Sequence, residues 1–532
     1  MTEDAGTVWW RDAVFYQIYP RSFQDSNGDG VGDLAGITSR LDYLHWLGVD
    51  AVWLNPITAS PNEDLGYDVS DYISVDRALG DMASLDRLVE SAGRCEIGVV
   101  LDVVPNHTSD RHPWFVDAST SRDSAHRDWY VWADPKPDGS PPNNWLSGFG
   151  GPAWEHHAAT GQFYLHQFLP SQPDLNWWNQ RVSEELERIL RFWFDRGVAG
   201  FRIDTAHLVI KDALLRDNPP SGPADHWMER RLGQRRLWSS NRPEVHDVWR
   251  RWRAVCREYE PERVLVGETW LFDLNDMARY YGDDDELHLN FNFPFMYSPF
   301  TAEALREVVE QTEIALSRGC WPVWTASNHD ISRFPTRWCG GAPEPARMAM
   351  LMLLTLRGTP FLYYGDELGM TDVHVPADRA ADPLSRRFPN QHRGRDPERT
   401  PMIWRSGPGA GFTEQGVEPW LPLGDSELNV EVQRDDPAST LRLCRDLIKL
   451  RRTSPDLRAG GYASLDAPDG VWVYRRGAGT LVALNFNDQQ VAVPGVRGRI
   501  AIASDRASDG AIVDGELRLG SCTGVVLLTA SD

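Results

Sequence analysis

The sequence predicts an α/β protein: a (β/α)8 TIM barrel with an inserted subdomain after strand 3 and a C-terminal antiparallel β-sandwich. Three observations predict this architecture. Short apolar runs alternate with amphipathic stretches over the first two thirds of the chain. A long irregular stretch follows the third run, and the final segments alternate apolar and polar residues as half-buried antiparallel strands do.

Short runs rich in β-branched and aromatic residues are the strand candidates. Each is followed by a loop and then by apolar residues at helical spacing, which is typical of βα repetition. Units of this kind form either a closed barrel or an open doubly wound sheet, and a count of eight favours the barrel. The predicted strands are residues 15–19, 49–54, 97–104, 198–203, 264–266, 287–291, 323–325 and 361–364.

Helices are predicted directly before several of these strands. Apolar residues from Ile37 to Leu47 recur at helical spacing and stop at Gly48, where glycine can end a helix in the left-handed conformation at little cost. The same pattern recurs over residues 182–193 and 245–255. A helix leading into a strand is the simplest account of each.

Breaks in this pattern divide the chain into three predicted parts. Residues 1–104 and 180–454 form the catalytic barrel (domain A). Residues 105–179 are rich in Trp, Pro, Gly and Asp and too long for an ordinary loop, so they form an inserted subdomain (domain B). Residues 455–532 are short alternating segments between turns and form the β-sandwich (domain C).

Composition and charge restrict the partners of this protein. The 532 residues are 41% hydrophobic and 25% charged, which is globular composition, and 54 Lys and Arg against 77 Asp and Glu give a net charge of −23. This charge repels nucleic acids and anionic membranes, so a small molecule is the expected partner. We expect no organic cofactor, and a monomer or small homo-oligomer.

The cysteines and the amino terminus bear on the cellular compartment. The six cysteines lack the spacing of a zinc site or a disulfide framework, so reduced and mostly buried thiols are expected. Residues 1–6 lack the basic and apolar regions of a secretory signal. The strongest apolar run, residues 348–356, is too short to cross a bilayer. These features predict a soluble, cytoplasmic protein.

Three acidic residues follow predicted strands: Asp204, Glu268 and Asp330. A barrel brings residues in such positions to one face. One carboxyl can then attack an anomeric carbon while a second protonates the leaving oxygen, and the third can offset oxocarbenium charge. The alternatives are helix N-caps for Asp204 and Asp330 and a surface position for Glu268.

Basic side chains accompany these acids. Arg202 lies two positions before Asp204, so both point to one face of an extended strand, and the cation is expected to keep Asp204 ionised. An ordinary strand-end salt bridge is compatible with that role. His107 and His329 are candidates to donate hydrogen bonds to sugar hydroxyls, although a lone histidine is more often structural.

Residues 25–33 alternate oxygen-bearing side chains with glycines, as does the first half of a calcium-binding loop. The twelfth position, where an EF-hand needs a bidentate Glu, is Gly36. We therefore predict a solitary structural Ca²⁺ site. A solvated turn rich in Asp and Asn is the alternative.

Four segments resemble the conserved blocks of glycoside hydrolase family 13, the α-amylase superfamily: residues 102–107, 200–204, 267–270 and 327–330. Residues 172–176 are similar to the additional block that marks the oligo-1,6-glucosidase and α-glucosidase subgroup. The resemblance spans almost the whole chain. It implies a glycoside hydrolase that acts by a retaining double displacement.

The resemblance also implies a role for each candidate residue. Asp204 is implied as the nucleophile, Glu268 as the general acid/base and Asp330 as the transition-state stabiliser. The residues implied to contact the terminal glucose are Tyr67, Asp68, His107, Arg202, His329 and Arg395, with Asp68 and Arg395 gripping its non-reducing end. The implied Ca²⁺ ligands are Asp25, Asn27, Asp29, Asp33 and the Val31 carbonyl.

The residue after the nucleophile bears on the linkage that is cleaved. Family members that prefer α-1,6 bonds tend to carry Val there and those that prefer α-1,4 bonds Ala or Thr, and this chain has Thr205. The resemblance therefore implies an exo-acting α-glucosidase. It would release glucose from maltose and malto-oligosaccharides through a covalent glucosyl-enzyme.

Two other interpretations remain open. A transglycosylase or isomerase relative, such as a trehalose synthase, shares the three carboxylates and differs in whether water or a sugar intercepts the glucosyl-enzyme. A non-catalytic carbohydrate-binding or transporter-partner homologue belongs to a different class. Transporter-partner relatives lose active-site carboxylates and carry a membrane anchor, and neither is expected of this sequence.

Overall fold

The computed structural model describes residues 8–316, 319–388 and 394–529, so residues 1–6, on which the expected absence of a secretory signal rests, lie outside it. The described strands are β1 (Phe15–Ile18), β2 (Ala51–Leu54), β3 (Thr58–Ala59), β4 (Asp71–Val75), β5 (Gly98–Val103), β6 (Trp132–Ala133), β7 (Trp154–His157), β8 (Gln162–Leu165), β9 (Gly200–Ile203), β10 (Val264–Gly267), β11 (Leu289–Asn290), β12 (Val323–Thr325), β13 (Thr359–Tyr363), β14 (Tyr462–Leu465), β15 (Val471–Arg476), β16 (Thr480–Asn485), β17 (Val491–Ala503), β18 (Ile512–Leu519) and β19 (Gly524–Leu528).

The described α-helices are α1 (Trp9–Asp12), α2 (Pro20–Phe23), α3 (Leu34–Ser39), α4 (Leu41–Leu47), α5 (Met82–Arg94), α6 (Pro113–Thr120), α7 (Gln180–Phe194), α8 (Trp227–Leu232), α9 (Val245–Cys256), α10 (Leu274–Arg279), α11 (Phe293–Tyr297), α12 (Ala302–Ala315), α13 (Phe334–Arg337), α14 (Pro343–Thr355), α15 (Pro383–Arg387), α16 (Val430–Asp435), α17 (Thr440–Thr453) and α18 (Pro455–Ala459). Short 3₁₀ turns cover Arg127–Trp129, Asp366–Leu368, Ala377–Arg379, Asp396–Glu398 and Pro408–Gly411.

Eight parallel strands form a barrel that is closed except at one seam. In hydrogen-bonded order the described sheet reads β11, β10, β9, β5, β2, β1, β13, β12. Because the strands follow in chain order and β13 returns to β1, the sheet curls into a barrel instead of spreading as a doubly wound sheet. All eight predicted strands are present and the predicted barrel is confirmed. The seam lies between β11 and β12.

Alternate residues of the barrel strands enter two different cores. Phe15, Trp53 and Phe361 belong to a cluster inside the barrel. Tyr16 and Leu54, their neighbours in sequence, belong to the larger core between the strands and the surrounding helices. This alternation follows from the two-residue period of a strand. The side chains of the functional site therefore come from the ends of the strands.

The helix predicted over residues 37–47 is divided in two. Thr38 Oγ1 donates to Leu34 O at 2.8 Å and Ser39 Oγ donates to Gly36 O at 2.7 Å. Such side-chain bonds to the backbone compete with the helical ladder. The chain therefore leaves α3 at Ser39 and restarts as α4, which ends at the predicted Gly48 with φ +96°.

Residues between β5 and α7 form a small separate unit above the barrel. It contains α6 and an antiparallel sheet in the order β6, β8, β7. Lys211, in the segment after β9, lies 2.9 Å from Asp174 of this unit, and both side chains are buried. The ion pair connects the unit to the barrel.

The carboxyl-terminal strands form one antiparallel sheet in the order β14, β15, β16, β19, β17, β18. This agrees with the antiparallel strands predicted for the region. Register shifts at Pro494/Val496 and Ile500/Ile502 interrupt β17, and such bulges bend a strand. One face encloses a core of its own, whereas Trp472 and Tyr474 pack into the barrel core. The short helix α18 begins this region and was not predicted.

No helix in the described ranges combines the length and apolar character needed to span a membrane. Cys256, Cys339 and Cys444 are free and buried, Cys95 and Cys522 are free and half-buried, and Cys320 is half-buried.

Candidate active site

Arg202, on β9, is the centre of the site. Its side chain is 1% exposed and contacts three carboxylates. Nη1 lies 2.8 Å from Asp102 Oδ1 and 3.1 Å from Asp204 Oδ1, and Nη2 lies 2.6 Å from Glu268 Oε1. These acids come from three neighbouring strands or their ends. The expected pair of Arg202 and Asp204 is thus part of a larger cluster that includes Asp102.

A single guanidinium does not balance three buried carboxylates. Burial raises the pKa of Asp204 well above its ordinary value, with Arg202 opposing and the charges of Glu268 and Asp102 adding to the rise. Burial also raises the pKa of Asp102 to about 7 against the effect of Arg202. Arg202 therefore lowers the pKa of Asp204 as expected, but its charge is shared among three acids.

Thr205 holds both candidate catalytic carboxylates. Its backbone N–H donates to Glu268 Oε2 at 2.9 Å and its Oγ1 donates to Asp204 Oδ2 at 3.2 Å. The residue has φ +42°, a left-handed conformation that is rare for a β-branched residue and is found where function demands it. The hydroxyl is therefore directed at the Asp204 carboxylate.

Asp330 sits among positive charges. Its Oδ1 accepts from Arg395 Nη1 at 3.1 Å and from Arg399 Nη2 at 2.8 Å, and His329 Nε2 lies 3.3 Å from its Oδ2. Burial raises the pKa of Asp330, but the neighbouring His329, Arg395 and Arg399 outweigh it and hold this pKa well below its usual range. Asp330 is thus an ionised carboxylate in the site.

Tyr67, His107 and His329 lie together in the described structure. Tyr67 Oη donates to Asp102 Oδ2 at 3.0 Å and lies 2.6 Å from His329 Nε2, and the two rings stack with centroids 5.5 Å apart. His107 Nε2 lies 3.0 Å from Tyr67 O and 3.1 Å from Gln172 Nε2. Burial lowers the pKa of His107 to about 4, so its ring is neutral.

The structure places Asp64 against Arg395 in the position expected for Asp68. Arg395 Nη2 donates to Asp64 Oδ1 at 2.7 Å and to Asp382 Oδ1 at 2.9 Å. Asp68 is fully buried and accepts from Ser60 Oγ and from two backbone amides of its own loop. Arg395 is therefore paired with Asp64, whereas Asp68 accepts hydrogen bonds within its own loop.

Sequence reasoning missed Asp64, Asp102, Asp382 and Arg399 as site residues. Asp102 lies within a segment that the family resemblance already singled out, so it carried a usable signal. Asp382 lies in the irregular stretch after β13, where no periodicity indicates which side chains turn inward. Its backbone N–H donates to the Asp396 carboxylate, and this bond fixes the turn in which Asp382 contacts Arg395.

The predicted calcium loop is held by its own amides. Asp25 Oδ1 accepts from Asn27 N at 3.0 Å, and Asp29 Oδ1 accepts from Val31 N at 2.8 Å. Asp33 caps α3 through Gly36 N. These bonds leave oxygen lone pairs free, and the all-oxygen donor set suits Ca²⁺. In the described ranges no group of three or more His, Cys, Asp or Glu side chains is gathered to hold a metal, so the site stays a prediction.

Comparison with known proteins agrees with this architecture. The family model described as alpha amylase, catalytic domain, matches residues 17–460. The chain therefore belongs to the α-amylase family, glycoside hydrolase family 13, and is a glycoside hydrolase.

Three particular relatives are similar to this chain over most of its length. A probable alpha-glucosidase of Rhizobium meliloti (strain 1021) is 43% identical over 471 residues, covering 85% of this chain and 84% of that protein. An oligo-1,6-glucosidase of Heyndrickxia coagulans is 37% identical over 531 residues, covering 91% and 93%. The crystal structure of the alpha-glucosyl transfer enzyme XgtA has a TM-score of 0.92 at 40% identity, covering 99% of this chain and 100% of that one.

Proposed function

We propose that this protein is a retaining, exo-acting α-glucosidase that releases terminal glucose from short α-glucosides, with α-1,4 linkages favoured. The observation that carries the proposal is the cluster in which Asp204 and Glu268 share the Arg202 guanidinium and Thr205. Two carboxyl groups held side by side supply the nucleophile and the proton donor that retaining glycoside cleavage needs.

Each step of the proposed reaction uses a residue of this cluster. Asp204 attacks C1 of the terminal glucose while Glu268 gives its proton to the glycosidic oxygen, so the C1–O bond breaks and the aglycone leaves as an alcohol. Water then attacks C1 of the glucosyl-Asp204 ester, Glu268 takes its proton, and the Asp204 carboxylate is released. Asp330, kept ionised by two arginines, offsets the positive charge that develops on the sugar.

The paired acids around Arg395 support exo action. Arg395 contacts Asp64, Asp330 and Asp382, and its own side chain is 12% exposed. The three ion pairs give a fixed wall of donors and acceptors beside the ionised Asp330. Such a wall suits the hydroxyls of a chain end and resists the passage of a longer glucan, since breaking it leaves buried charges unpaired.

The linkage preference rests on Thr205 and is tested by a substrate panel. The relatives described above include both a probable alpha-glucosidase and an oligo-1,6-glucosidase. We expect higher kcat/KM for maltose and maltotriose than for isomaltose, sucrose or trehalose. A higher value for isomaltose would reverse the proposed linkage.

Glucosyl transfer is the second candidate function. XgtA, at 40% identity, is described as an alpha-glucosyl transfer enzyme. In transfer, an alcohol replaces water in the second step and every other residue keeps its role. Counting new glycosides against free glucose in the same panel separates the two functions.

The nucleophile is tested by Asp204→Asn. We expect kcat/KM for a chromogenic α-glucoside to fall by roughly 10⁴ or more, because the amide cannot form the glycosyl ester. Asp247→Asn, at an exposed position of α9, makes the same charge change and serves as the matched control. Proton NMR of the first product should show α-glucose. A β-anomer, or an active Asp204→Asn enzyme, would refute the mechanism.

A further inference from the structure

Four stacked rings form a column that begins in the site and ends at Trp420. Tyr67 stacks on His329 with centroids 5.5 Å apart, and the other face of the column continues from His329 to Tyr19 at 6.2 Å. Tyr19 in turn stacks on Trp420 at 6.0 Å. Trp420 is half-buried and lies in the irregular stretch between β13 and α16. We call these four residues the aromatic column.

The Tyr19 ring supports two neighbours of Asp330. The Arg399 guanidinium, which is 1% exposed, lies over this ring at 5.3 Å from its centroid, and the His329 ring stacks against it. Arg399 Nε donates to His329 O at 2.7 Å and its Nη2 donates to Asp330 Oδ1 at 2.8 Å. The buried Tyr19 hydroxyl has no hydrogen-bond partner among the described residues, so Tyr19 acts here through its ring face.

Trp420 also reaches Arg399 through hydrogen bonds. Its Nε1 donates to Ser22 Oγ at 3.0 Å, and the Ser22 hydroxyl donates to the backbone carbonyl of Arg399. Ser22 lies in α2 and is fully buried. One indole therefore supports Arg399 twice, at its backbone through Ser22 and at its guanidinium through Tyr19.

The backbone of this segment is fixed against the loop of residues 25–33. Trp420 N donates to Gly30 O at 2.9 Å. Gly30 has φ +86°, and a Cβ at this position would lie 2.3 Å from Glu418 O, so only glycine allows the two segments to approach so closely. The indole is thus presented to Tyr19 and Ser22 from a rigid support.

The contacts of Arg399 matter because Asp330 faces charge that develops only in the transition state. A carboxylate stabilises such charge when it is held in place before the reaction begins. A displacement of about 1 Å in a positioning group can lower the rate by about 100-fold. A group that fixes Arg399 therefore acts on catalysis without touching the substrate.

We propose that Trp420 is a positioning residue, which fixes the Arg399 guanidinium against Asp330 through Tyr19 and Ser22. This inference rests on the proposed function. It assigns a role in the reaction to a residue outside the glucose grip and outside the three carboxylates.

The experiment compares the wild type with Trp420→Leu, Trp420→Phe, Arg399→Lys and the double variant Trp420→Leu/Arg399→Lys. Trp46→Leu is the matched control, because Trp46 is also half-buried, stacks on Tyr43 with centroids 6.1 Å apart and lies 4.7 Å from the Arg445 guanidinium, outside the aromatic column. We measure kcat and KM for 4-nitrophenyl α-glucoside and maltose. Thermal melts of all the proteins establish folding.

We expect Trp420→Leu to lower kcat by at least about 10-fold with a change in KM of less than about 3-fold, because Asp330 acts on the transition state. Trp420→Phe keeps a ring against Tyr19 and should recover most of kcat, and Trp46→Leu should stay within about 2-fold of the wild type. In the Arg399→Lys background, Trp420→Leu should cost less than about 2-fold, since the guanidinium that it orients is already absent.

A full loss of kcat from Trp420→Leu in the Arg399→Lys background, or an equal loss from Trp46→Leu, would overturn the inference. If Trp420→Leu does not fold, Ser22→Ala decides, since it removes only the hydrogen-bonded route, and an unchanged kcat would be contrary to the proposal.

A crystal structure of Trp420→Leu tests the same inference without activity. The distance from Arg399 Nη2 to Asp330 Oδ1 should exceed about 3.5 Å, beyond hydrogen-bond reach. An unchanged contact would overturn the positioning role. A wild type that hydrolyses neither substrate would instead overturn the proposed α-glucosidase, and the crystal structure would still decide whether Trp420 fixes Arg399.

Discussion

At the scale of single residues, the two carboxylates Asp64 and Asp68 make separate contacts although they share one loop. Asp64 is paired with Arg395 in the site, and Asp68 accepts hydrogen bonds from Ser60 and the loop backbone. We expect the first arrangement to act on substrate and the second on the shape of the loop. Substituting each in turn separates these roles.

Asp64→Asn should raise KM for maltose by at least about 10-fold, because it removes a charged partner of Arg395. Asp68→Asn is the matched variant and should lower the melting temperature with a change in KM of less than about 3-fold, since it weakens only loop bonds. Steady-state kinetics and thermal melts measure both. A larger KM effect for Asp68→Asn would restore the original assignment.

The sequence allowed Asp204, Glu268 and Asp330 to be selected because each follows an apolar run that can be recognised as a strand. The choice between Asp64 and Asp68 could not be made in that way, since a loop has no periodicity to say which side chain faces inward. The raised pKa of Asp204 was equally out of reach. It depends on burial and on Asp102 and Glu268, which approach through space.

At the scale of elements, the turn after β13 contains a carboxylate whose ionisation opposes folding. Asp366 is fully buried, and burial raises its pKa from 3.8 to about 7 although Arg333 opposes the rise. The folded state therefore holds the proton more tightly than the unfolded chain. Its stabilising contribution is complete below about pH 4 and is lost as the pH rises toward 7.

Asp366→Asn carries an uncharged side chain at every pH and should remove this loss. We expect the free energy of unfolding of the wild type to fall between pH 5 and pH 8 by roughly 1 kcal/mol or more beyond that of the variant. Urea unfolding at both pH values measures the difference. Equal pH dependence in the two proteins would contradict the role given to Asp366.

The loop over residues 25–33 is the element in which metal binding is predicted. Saturating Ca²⁺ should raise the melting temperature relative to excess chelator, since a ligand at about 100 times its Kd adds about 2.7 kcal/mol. Asp29→Ala should abolish the difference, and Asp42→Ala, at an exposed position of α4, should keep it. Identical melting with Ca²⁺ and with chelator would favour the solvated turn.

Element boundaries show where sequence patterns stop being sufficient. The barrel strands were located because their apolar runs are bounded by turns. The division between α3 and α4 was not foreseen, because apolar residues continue at helical spacing on both sides of Arg40. The Thr38 and Ser39 hydroxyls nevertheless donate to backbone carbonyls of α3. Side-chain competition of this kind does not alter hydrophobic periodicity.

At the scale of the whole molecule, β15 fixes the carboxyl-terminal sheet to the barrel. Tyr474 Oη lies 2.6 Å from Thr355 Oγ1 of α14. The Arg476 guanidinium is fully buried and donates to the carbonyls of Thr355 and Leu457. The alternation of apolar and polar residues that predicted this strand also predicted that one of its faces is buried. It did not indicate which part of the protein covers that face.

Arg476→Leu should lower the free energy of unfolding by about 2–4 kcal/mol, because buried carbonyls lose charged donors. Arg475→Leu changes the neighbouring, exposed residue and should cost less than about 0.5 kcal/mol. Urea unfolding followed by tryptophan fluorescence should give one transition for the wild type. Equal costs for the two variants would show that the sheet is not held through Arg476.

The ion pairs of the site also constrain how the chain acquires activity during folding. Arg395 and Asp64 are 331 positions apart, and Arg202 and Asp102 are 100 apart. Contacts between such distant positions form late, because the intervening chain must first be ordered. In a refolding experiment, helical circular dichroism should therefore recover before catalytic turnover, and the return of turnover marks the moment at which the ring of strands closes.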